Sequence, residues 1–587
     1  MKEKWVIAAK RADFAGIAKK FNINPVTARL IRNRNIISEE EIGIYLNGNL
    51  SNLHNPWLMK GMKRAVEILT EKIHQQKKIR IIGDYDIDGV TATYIFLTAL
   101  RRCHARVDYE IPDRIKDGYG INRQLIEQAY AQGIDTILTC DNGIAAMDQI
   151  DYAKQLGMTV IVTDHHELRT EEKDGVSVVQ IPAADAVINP HQPQCEYPYK
   201  NLCGAAVAFK VVCALYESLG IAAAEWESLL EFTALATVGD VMDLTGENRI
   251  LVREGLLRLN QTENPGLRAL IKVNGLEDKE INSYHIGFVL GPCINASGRL
   301  DTAKKALELL LCDSEIEAVE LAEELLALNN QRKEMTLQGY EAAVELIEHS
   351  SLKSDRVLVV YLPECHESLA GIIAGRIRER YYRPVFVLTD GEQEVKGSGR
   401  SIESYSMFEE MQRCGELFSK FGGHPMAAGC SLPKENVELL RRSLNEKCTL
   451  TEDDLMQKVV IDVPMPIDYI SEKLISELDL LEPFGKANSK PVFAEKNLNF
   501  LSARVLGKNR NVLKFQVENS AGKVMDALYF GDVDEMRRNL EERFGWEETE
   551  KLYLGRKNQV VLSVIYYPTV NEFRDSKTLQ IIIQNIS

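Results

Sequence analysis

The sequence predicts an α/β protein of several domains that ends in a strand-rich domain. From about residue 56, apolar strand candidates alternate with helical patterns, which is typical of a parallel sheet with helices on both faces. Helical patterns dominate from about residue 204 to 350, and a second α/β region follows. Five or six short strands then follow closely from about residue 455, which indicates a small OB-like β-barrel.

Changes in this pattern divide the chain into five segments. A chain of 587 residues is too long for one hydrophobic core, so several domains are expected. The expected segments are an N-terminal helical arm (1–55), a parallel-sheet domain (56–245), a helical connector (246–350), a second α/β domain (351–454) and an OB-like domain (455–587). One long helix near 314–349 is expected to join the two α/β lobes.

The composition is ordinary for a soluble globular protein, with 45% hydrophobic and 27% charged residues. We expect no membrane span, because no apolar run reaches about 18 residues. Eleven scattered cysteines without a C-x-x-C pair favour reduced thiols in a cytoplasmic protein. The net charge of −16 argues against non-specific nucleic-acid binding, although Gly375–Pro384 and Glu394–Ser401 are locally basic.

Three aspartates follow the first strong strand candidate. The apolar run "IRII" leads through Gly83 to Asp84, Asp86 and Asp88, and a helical stretch comes next. Carboxylates this close repel one another and raise one another's pKa, and the usual compensation is a metal cation. The pattern therefore predicts a metal site and directs the search to further ligands.

Two later strands end in the same way. "DTILTC" leads into Asp141, "TVIVT" leads into Asp164, His165 and His166, and an apolar helix ends at Asp240. The carboxyl ends of parallel strands lie along one edge of a sheet, where ligands bind. Several oxygen donors with one or two imidazoles suit Mn²⁺, Mg²⁺ or Fe²⁺ better than structural zinc. Two such ions can clamp an attacking water and a phosphoryl leaving oxygen.

Each of these motifs also has a purely structural explanation. "DNG" at Asp141 is most often a turn, Asp240 can cap a helix, and "DHH" can lie on the surface. Three acidic clusters after three apolar strands, one of them with paired histidines, favour the metal site.

The motifs "GDYDIDG", "CDNG", "TDHHE" and "ATVGDVMDL", in this order, resemble those of the DHH phosphoesterase superfamily. "GPCINASGRL", "GSGRS", "FGGHPMAAG" and "LEPFGKANSKPVF" narrow the resemblance to the RecJ family of single-stranded-DNA-specific exonucleases. The resemblance covers nearly the whole chain. It implies a DHH-type parallel-sheet catalytic lobe, a helical connector, a second α/β (DHH-associated) lobe and a C-terminal OB-like β-barrel.

The resemblance also implies roles for individual residues. The implied metal ligands are Asp86, Asp88, Asp141, His165 and Asp240. His166 is expected to approach the scissile phosphate, Asp84 to ligate or orient, and Asp164 to hold a histidine tautomer. The implied substrate-binding residues are Arg299, Ser398, Arg400, Gly422, Gly423 and His424. Glycine lets backbone N–H groups approach a phosphate, and a guanidinium can bind one through two hydrogen bonds.

The sequence departs from the family pattern at several positions. Cys293 stands where the family usually has arginine, which removes one expected phosphate contact. Ala487 and Ser489 replace the usual glycine and proline, and "CHESLAGIIAGRI" lacks the usual tryptophan. We expect these changes to weaken or alter DNA handling while the metal-ligand set stays intact.

The implied function is a metal-dependent 5′→3′ exonuclease that degrades single-stranded DNA to mononucleotides in repair and recombination. Its implied cofactor is Mn²⁺ or Mg²⁺ in a two-metal site, and its candidate protein partners are a single-strand-binding protein or a helicase. One alternative is a DHH-family phosphodiesterase on short oligonucleotides or cyclic dinucleotides, and another is an inactive DNA-binding scaffold. The barrel argues against the first and the intact Asp/His set against the second.

The barrel is expected to extend the DNA-binding track. Its basic residues Arg504, Lys508, Arg510 and Lys514, with Phe515 nearby, match the combination of charge and stacking by which OB domains bind single strands. The alternative is a structural domain or a docking site for another protein.

Overall fold

The computed structural model describes residues 3–114, 117–173, 176–507, 510–573 and 576–587. Two compact units are present: residues 50–457 form the larger one, and residues 3–49 combine with 458–587 in the smaller one. Within the described residues, no helix is both long and apolar enough to cross a membrane.

The elements are numbered in chain order. The N-terminal segment contains β1 (Glu3–Ile7), α1 (Phe14–Phe21), α2 (Pro25–Asn33) and α3 (Glu39–Asn47). The first lobe of the larger unit begins with α4 (Met62–His74), β2 (Lys78–Ile82), α5 (Ile87–Arg102), β3 (Arg106–Glu110), α6 (Arg123–Ala131), β4 (Thr136–Cys140), α7 (Met147–Gln155), β5 (Thr159–Thr163), β6 (Thr170–Lys173), β7 (Val176–Val179) and β8 (Ala186–Ile188). It continues with α8 (Gly204–Ser218), α9 (Ala223–Glu227), α10 (Leu230–Gly239), α11 (Gly246–Leu259), α12 (Pro265–Val273), α13 (Ser283–His285), α14 (Gly291–Leu300) and α15 (Lys304–Leu311).

The rest of the chain follows the long helix α16 (Glu315–Glu348). The second lobe contains β9 (Leu358–Tyr361), α17 (Ala370–Tyr381), β10 (Val385–Asp390), β11 (Val395–Arg400), α18 (Met407–Gln412), β12 (Lys420–His424), β13 (Ala427–Leu432) and α19 (Val437–Glu446). The C-terminal segment contains β14 (Gln457–Ile461), β15 (Val463–Pro464), α20 (Glu472–Asp479), β16 (Phe493–Leu506), β17 (Val512–Glu518), β18 (Val524–Phe530), α21 (Val533–Phe544), α22 (Trp546–Tyr553), β19 (Val561–Phe573) and β20 (Ser576–Ile586).

The first lobe is built on a five-stranded sheet in the order β3-β2-β4-β5-β8, and all of its pairings are parallel. The apolar residues of β2, β4 and β5 are buried because helices cover both faces of the sheet. From β2 the chain continues to β3 on one side of β2, and it then returns to β4 on the other side of β2. The crevice between β2 and β4 is thus a topological switch point, where doubly wound sheets bind ligands.

The short antiparallel hairpin of β6 and β7 was not predicted from the sequence. It follows the DHH motif and pairs a charged strand with an apolar one, so neither strand shows the continuous apolar run of the central sheet. It forms a sheet of its own and leaves the order of the central strands unchanged.

Helix α16 joins the two lobes of the larger unit, as the sequence predicted. Ser314 caps its N-terminus by accepting a hydrogen bond from the Glu317 N–H. The helix packs against α12, α14 and α15 of the first lobe and against α17 of the second lobe. The second lobe has a mixed sheet in the order β12-β13-β11-β10-β9, in which only β9 and β10 are parallel.

The C-terminal segment forms a closed barrel. Strands β16, β17, β18, β20 and β19 follow one another around it, and β19 pairs back onto β16. Among these five strands, in the residues that the structure describes, only the β18–β20 pairing is parallel, and the short strand β15 also pairs in parallel with β16. This is the five-stranded Greek-key arrangement of an OB-fold, so the predicted barrel is confirmed.

One expectation about the surface of the barrel was wrong. Phe515 lies in the core with only 1% of its surface exposed, so it offers no face to a base. Lys514 forms a 2.7 Å ion pair with Asp526, which offsets part of its positive charge. Arg504 and Arg510 are exposed, and Lys508 lies outside the described residues.

The N-terminal helices pack on the C-terminal segment and share its hydrophobic core. Glu477 of α20 accepts hydrogen bonds from the Asn24 N–H (2.5 Å) and the Thr27 hydroxyl (2.9 Å). The Arg34 guanidinium donates to the Asn488 side chain at 2.7 Å. These contacts join residues more than 400 positions apart in the sequence.

Candidate metal centre

The loop between β2 and α5 carries three aspartates. Asp84 is buried beside the end of β2, and Asp86 caps α5 by accepting hydrogen bonds from the N–H groups of Asp88 and Gly89. Asp88 lies in the first turn of α5 and is fully buried. Its carboxylate accepts hydrogen bonds from the N–H groups of residues 204 (2.6 Å) and 205 (2.7 Å), at the N-terminus of α8. The positive end of α8 thus helps to stabilise this buried charge.

Asp141 follows β4 in a left-handed conformation with φ of +61°. The Tyr119 hydroxyl donates to its carbonyl oxygen at 2.8 Å, which supports this unusual backbone. Gly204 lies so close that a Cβ atom there would be 2.6 Å from the Asp141 Cβ. Glycine therefore lets the α8 N-terminus contact two aspartates at once.

The "DHH" motif follows β5 and turns its side chains toward the same edge. Asp164 is buried and accepts hydrogen bonds from the N–H groups of His165 and His166, from His166 Nδ1 (2.7 Å) and from the Ile144 N–H (2.9 Å). Burial alone would raise the pKa of Asp164, but these hydrogen bonds and the charge of the histidines lower it. An ionised Asp164 therefore accepts the Nδ1 proton of His166 and fixes the orientation of that ring.

The two histidines differ in their environment. His165 is buried among carboxylates, and its burial lowers its pKa. Burial also disfavours the charged form of His166, but the hydrogen bond to Asp164 outweighs it and raises the pKa of His166 to about 9. The His166 side chain is 44% exposed and has the Tyr119 hydroxyl 3.2 Å from its Nδ1. His165 is thus suited to metal ligation and His166 to contact with an anion.

His165 lies at the point where the acidic residues converge. Its Nε2 is 3.1 Å from Asp141 Oδ1, 3.5 Å from Asp88 Oδ2 and 3.9 Å from Asp240 Oδ2. Asp240 reaches this point from the C-terminal end of α10. Residues from β2–α5, β4, β5 and α10 therefore meet at one edge of the sheet.

Three groups of donors within this cluster have ligand atoms that all lie within 4.8 Å of one another. They are Asp84/Asp86/Asp141, Asp88/His165/Asp240 and Asp141/His165/His166. Asp141 belongs to two of the groups, and His165 also belongs to two. A carboxylate that belongs to two donor groups is compatible with two neighbouring cations.

The electrostatics of the cluster fit a divalent cation. Asp141 Oδ1 is buried without a hydrogen bond, because its contact with His165 lacks hydrogen-bond geometry. Burial, followed by repulsion from neighbouring aspartates, raises the pKa of Asp84, Asp86 and Asp141. Oxygen donors that are costly to ionise alone become favourable ligands beside a hard cation.

The predicted substrate-binding residues lie on the second lobe and on α14. Arg299, near the C-terminal end of α14, donates from Nη1 to the Ser368 carbonyl oxygen at 2.9 Å. Burial and repulsion from two other arginines lower the pKa of Arg299 to about 10. On β11, Arg400 donates to the Ser398 hydroxyl and the residue 399 carbonyl, and burial lowers its pKa.

Gly422, Gly423 and His424 of the glycine-rich segment lie on β12, which is two strands away from β11 and Arg400. Arg400 pairs with Ala427 of β13, which pairs with His424 of β12, while Ser398 lies in one cross-strand row with Gly429 and Gly422. Paired residues of a sheet share a face. Arg400 and His424 therefore flank a surface of very small side chains on one face, and Gly423 occupies a φ of +148° beside it.

Some residues near the site were missed by the sequence argument. Tyr119, Gly204 and Arg332 belong to no acidic or glycine-rich pattern, so motifs alone could not identify them. Arg332 of α16 donates to Asn329, and its pKa is lowered by burial and by repulsion from Arg376. The locally basic run Gly375–Pro384, which contains Arg376, was the one feature of the sequence that indicated a basic surface near Arg332.

Cys293 does not reach the surface beside the metal loop. It is fully buried on α14 with its Sγ 3.3 Å from Asn329 Nδ2 and within 3.7 Å of the Asn274 side chain. Position 293 therefore lies beside Asn329, which accepts the hydrogen bonds of Arg332 on α16.

Comparisons with known proteins agree with this architecture. Family models match residues 78–237 (DHH family, N-terminal domain), 354–449 (DHHA1 domain) and 461–585 (RecJ OB domain). The sequence is 35% identical to the single-stranded-DNA-specific exonuclease RecJ of Bacillus subtilis, over 100% of this chain and 71% of that protein. It is also 35% identical to the Escherichia coli protein of the same name, over 96% of both chains.

A solved structure shares the fold. The crystal structure of RecJ from Thermus thermophilus in complex with Mn²⁺ matches with a TM-score of 0.81 and 26% identity, over 100% of this chain and 79% of that one. The same protein has also been solved in complex with Mg²⁺. With its DHH, DHHA1 and OB domains in order and relatives that match along its whole length, this chain belongs to the RecJ family of the DHH phosphoesterase superfamily.

Proposed function

We propose that this protein is a metal-dependent exonuclease that degrades single-stranded DNA from its 5′ end to mononucleotides, in DNA repair and recombination. The observation that carries the proposal is the shared cluster of aspartate and histidine donors at the switch point of the first sheet. Family membership supports the substrate, because the matching relatives are named as single-stranded-DNA-specific exonucleases.

The proposed cofactor is a pair of Mn²⁺ or Mg²⁺ ions. The residues proposed to hold them are Asp86, Asp88, Asp141, His165 and Asp240, with Asp84 as a further donor beside Asp86. When bound, such ions activate water at neutral pH and stabilise negative charge on phosphoryl and leaving oxygens. The Mn²⁺ and Mg²⁺ complexes of the Thermus relative support this choice of cations.

His166 is proposed to contact the scissile phosphate. Its hydrogen bond to Asp164 raises its pKa and so favours the protonated ring, and the exposed ring can donate to a phosphate oxygen. Asp164 holds the ring through Nδ1, and Nε2, which lies 3.3 Å from the Tyr119 hydroxyl, is proposed to make that contact. Tyr119, whose hydroxyl is 3.2 Å from the ring, limits its movement.

A series of arginines is proposed to guide the DNA backbone toward the metal centre. Arg299, Arg332 and Arg400 all hydrogen-bond neutral oxygens, and burial together with neighbouring arginines lowers the pKa of each. Guanidinium groups held close together repel, and phosphates relieve that repulsion. Ser398 and His424, with the N–H groups around Gly422 and Gly423, are proposed to hold a further phosphate.

A length series of labelled oligonucleotides tests the proposal. Release of mononucleotides from the 5′ end of single strands, dependent on Mn²⁺ or Mg²⁺ and absent from duplexes, is the expected result. A 3′-labelled set in parallel reports the direction of cleavage. Activity confined to dinucleotides or cyclic dinucleotides would favour the small-substrate phosphodiesterase instead. DNA binding without cleavage at any metal concentration would identify an inactive scaffold.

The family relationship also supports proposals about cellular context. A single-strand-binding protein or a helicase is the proposed protein partner, since either would present single strands to the enzyme. The proposed location is the cytoplasm, where reduced thiols persist and the 11 cysteines stay free. Stimulation of cleavage on coated or unwound DNA would test the partner proposal.

A further inference from the structure

The metal loop between β2 and α5 is anchored from outside by α14. The backbone N–H of Ile87, the first residue of α5, donates to Asn295 Oδ1 of α14 at 2.8 Å. The two residues are 208 positions apart in the sequence. A helix that carries no metal-ligand candidate thus holds the loop that carries three.

Asn295 completes the capping of α5. The first N–H groups of a helix have no partner within it and need acceptors from elsewhere. Asp86 accepts from the N–H groups of Asp88 and Gly89, and Asn295 accepts from that of Ile87. Without Asn295, the Ile87 N–H would be left unpaired beside buried carboxylates.

Helix α14 approaches the loop and the start of α5 closely at two glycines. A Cβ atom at Gly298 would lie 2.2 Å from the Tyr85 carbonyl oxygen, so only glycine fits. At the start of α14, a Cβ atom at Gly291 would lie 3.3 Å from the Ile87 side chain. The loop backbone at Tyr85 and the Ile87 side chain at the start of α5 therefore both contact α14, with Asn295 between the two glycines.

We infer that Asn295 is a positioning residue for the metal centre. It fixes the start of α5 so that the Asp86 and Asp88 carboxylates point at the convergence point near His165. This inference rests on the proposed function, because it assigns Asn295 a role in binding the proposed cations. Asn295 acts through the loop and needs no contact with metal or DNA.

The test is Mn²⁺ binding by titration calorimetry on the full-length protein. Asn295→Ala removes the acceptor and should lower Mn²⁺ affinity by about 10–100-fold, the usual effect of losing a group that orients metal ligands. Asn295→Asp keeps the accepting oxygen and should remain within about tenfold of wild type. On DNA, Asn295→Ala should lower kcat at subsaturating Mn²⁺ and leave KM for DNA unchanged, and added Mn²⁺ should restore part of the loss.

Asn264→Ala is the matched control. Asn264 accepts a hydrogen bond from the Leu267 N–H at 2.9 Å at the start of α12, so it is also an asparagine that caps a helix. Its loss should lower thermal stability like that of Asn295 and leave Mn²⁺ affinity at the wild-type value.

Two results would overturn the inference. Mn²⁺ affinity of Asn295→Ala equal to that of wild type and Asn264→Ala would show a purely structural role. Equal losses in Asn295→Ala and Asn295→Asp would show that the accepting oxygen is not the relevant group. Both are distinct from failure of the proposed function, which would appear as a wild-type protein that binds Mn²⁺ and does not cleave single strands.

Discussion

Replacing Asp141 by asparagine should raise the stability of the metal-free protein and remove its response to metal. In the absence of a cation, the Asp141 carboxylate is buried and faces several other aspartates, which raises its pKa. An acid with a raised pKa in the folded state loses stability as pH rises above its unfolded pKa. The neutral amide has no such loss, so the gain of Asp141→Asn over wild type in EDTA should be larger at about pH 8 than at about pH 5.

The expected rise in Tm on metal binding follows from the linkage between cation binding and folding. A cation at 100 times its Kd stabilises the folded state by about 2.7 kcal/mol per site. Residues 50–457 form one unit of about 400 residues, for which an unfolding entropy of about 2.1 cal/mol/K per residue gives about 0.86 kcal/mol/K. The expected rise in Tm for wild type is therefore about 3 °C for one ion and about 6 °C for two. Asp141 belongs to two donor groups, so its loss should remove most of this rise.

The assay is thermal unfolding with EDTA or Mn²⁺ at both pH values, together with cleavage of a labelled single strand. Asp141→Asn should lose at least about 100-fold in cleavage, beyond the effect typical of residues that only orient ligands. A variant that keeps the full Mn²⁺-dependent rise in Tm would refute the bridging role. A variant less stable than wild type in EDTA at the higher pH would refute the electrostatic argument.

Three further predictions concern other parts of the chain. Arg400→Ala and His424→Ala should each weaken single-strand binding by roughly 1.5–3 kcal/mol and leave Mn²⁺ affinity unchanged, as measured by calorimetry; a collapse of metal affinity would place them in the metal site instead. Burial raises the pKa of Glu231 to about 7, and one of its carboxylate oxygens has no hydrogen bond. Wild type should therefore lose up to about 3 kcal/mol of stability between about pH 4.5 and 7, while Glu231→Gln should not. Identical pH profiles of the two proteins in denaturant titrations would contradict this. A 50–457 fragment should cleave short oligonucleotides normally, with a raised KM for long strands and a flatter salt dependence; equal loss on both substrates would show that the barrel does not guide DNA.

Much of the first lobe could be predicted because its signals are local. Each central strand is a continuous apolar run, and its acidic residues follow immediately in the sequence. The edge of a parallel sheet then brings Asp84, Asp141 and His165 together without any knowledge of side-chain contacts. Tyr119 and Asn295 could not be found in this way, because each acts through a hydrogen bond to a backbone group that is distant in the sequence.

The error on Phe515 of the barrel has a different origin. Leu513, Phe515 and Val517 are buried at alternate positions of β17, so period-two alternation already indicated that Phe515 points into the core. The ion pair of Lys514 with Asp526 joins neighbouring strands and required the register between them. The packing of the N-terminal helices on this domain leaves no local trace in the sequence.

That packing sets a delay during synthesis. The helices of residues 14–47 complete their core only with residues after 458, so about 410 residues must be translated between the two parts. At about 5–20 residues per second, this takes roughly 20–80 s. Throughout that interval the apolar side chains of Leu30, Ile31 and Ile42 lack their final partners while the intervening unit emerges and folds. Helices that are made more than 400 residues before their partners are therefore completed late, and chaperones that bind exposed apolar segments can bind them throughout this interval.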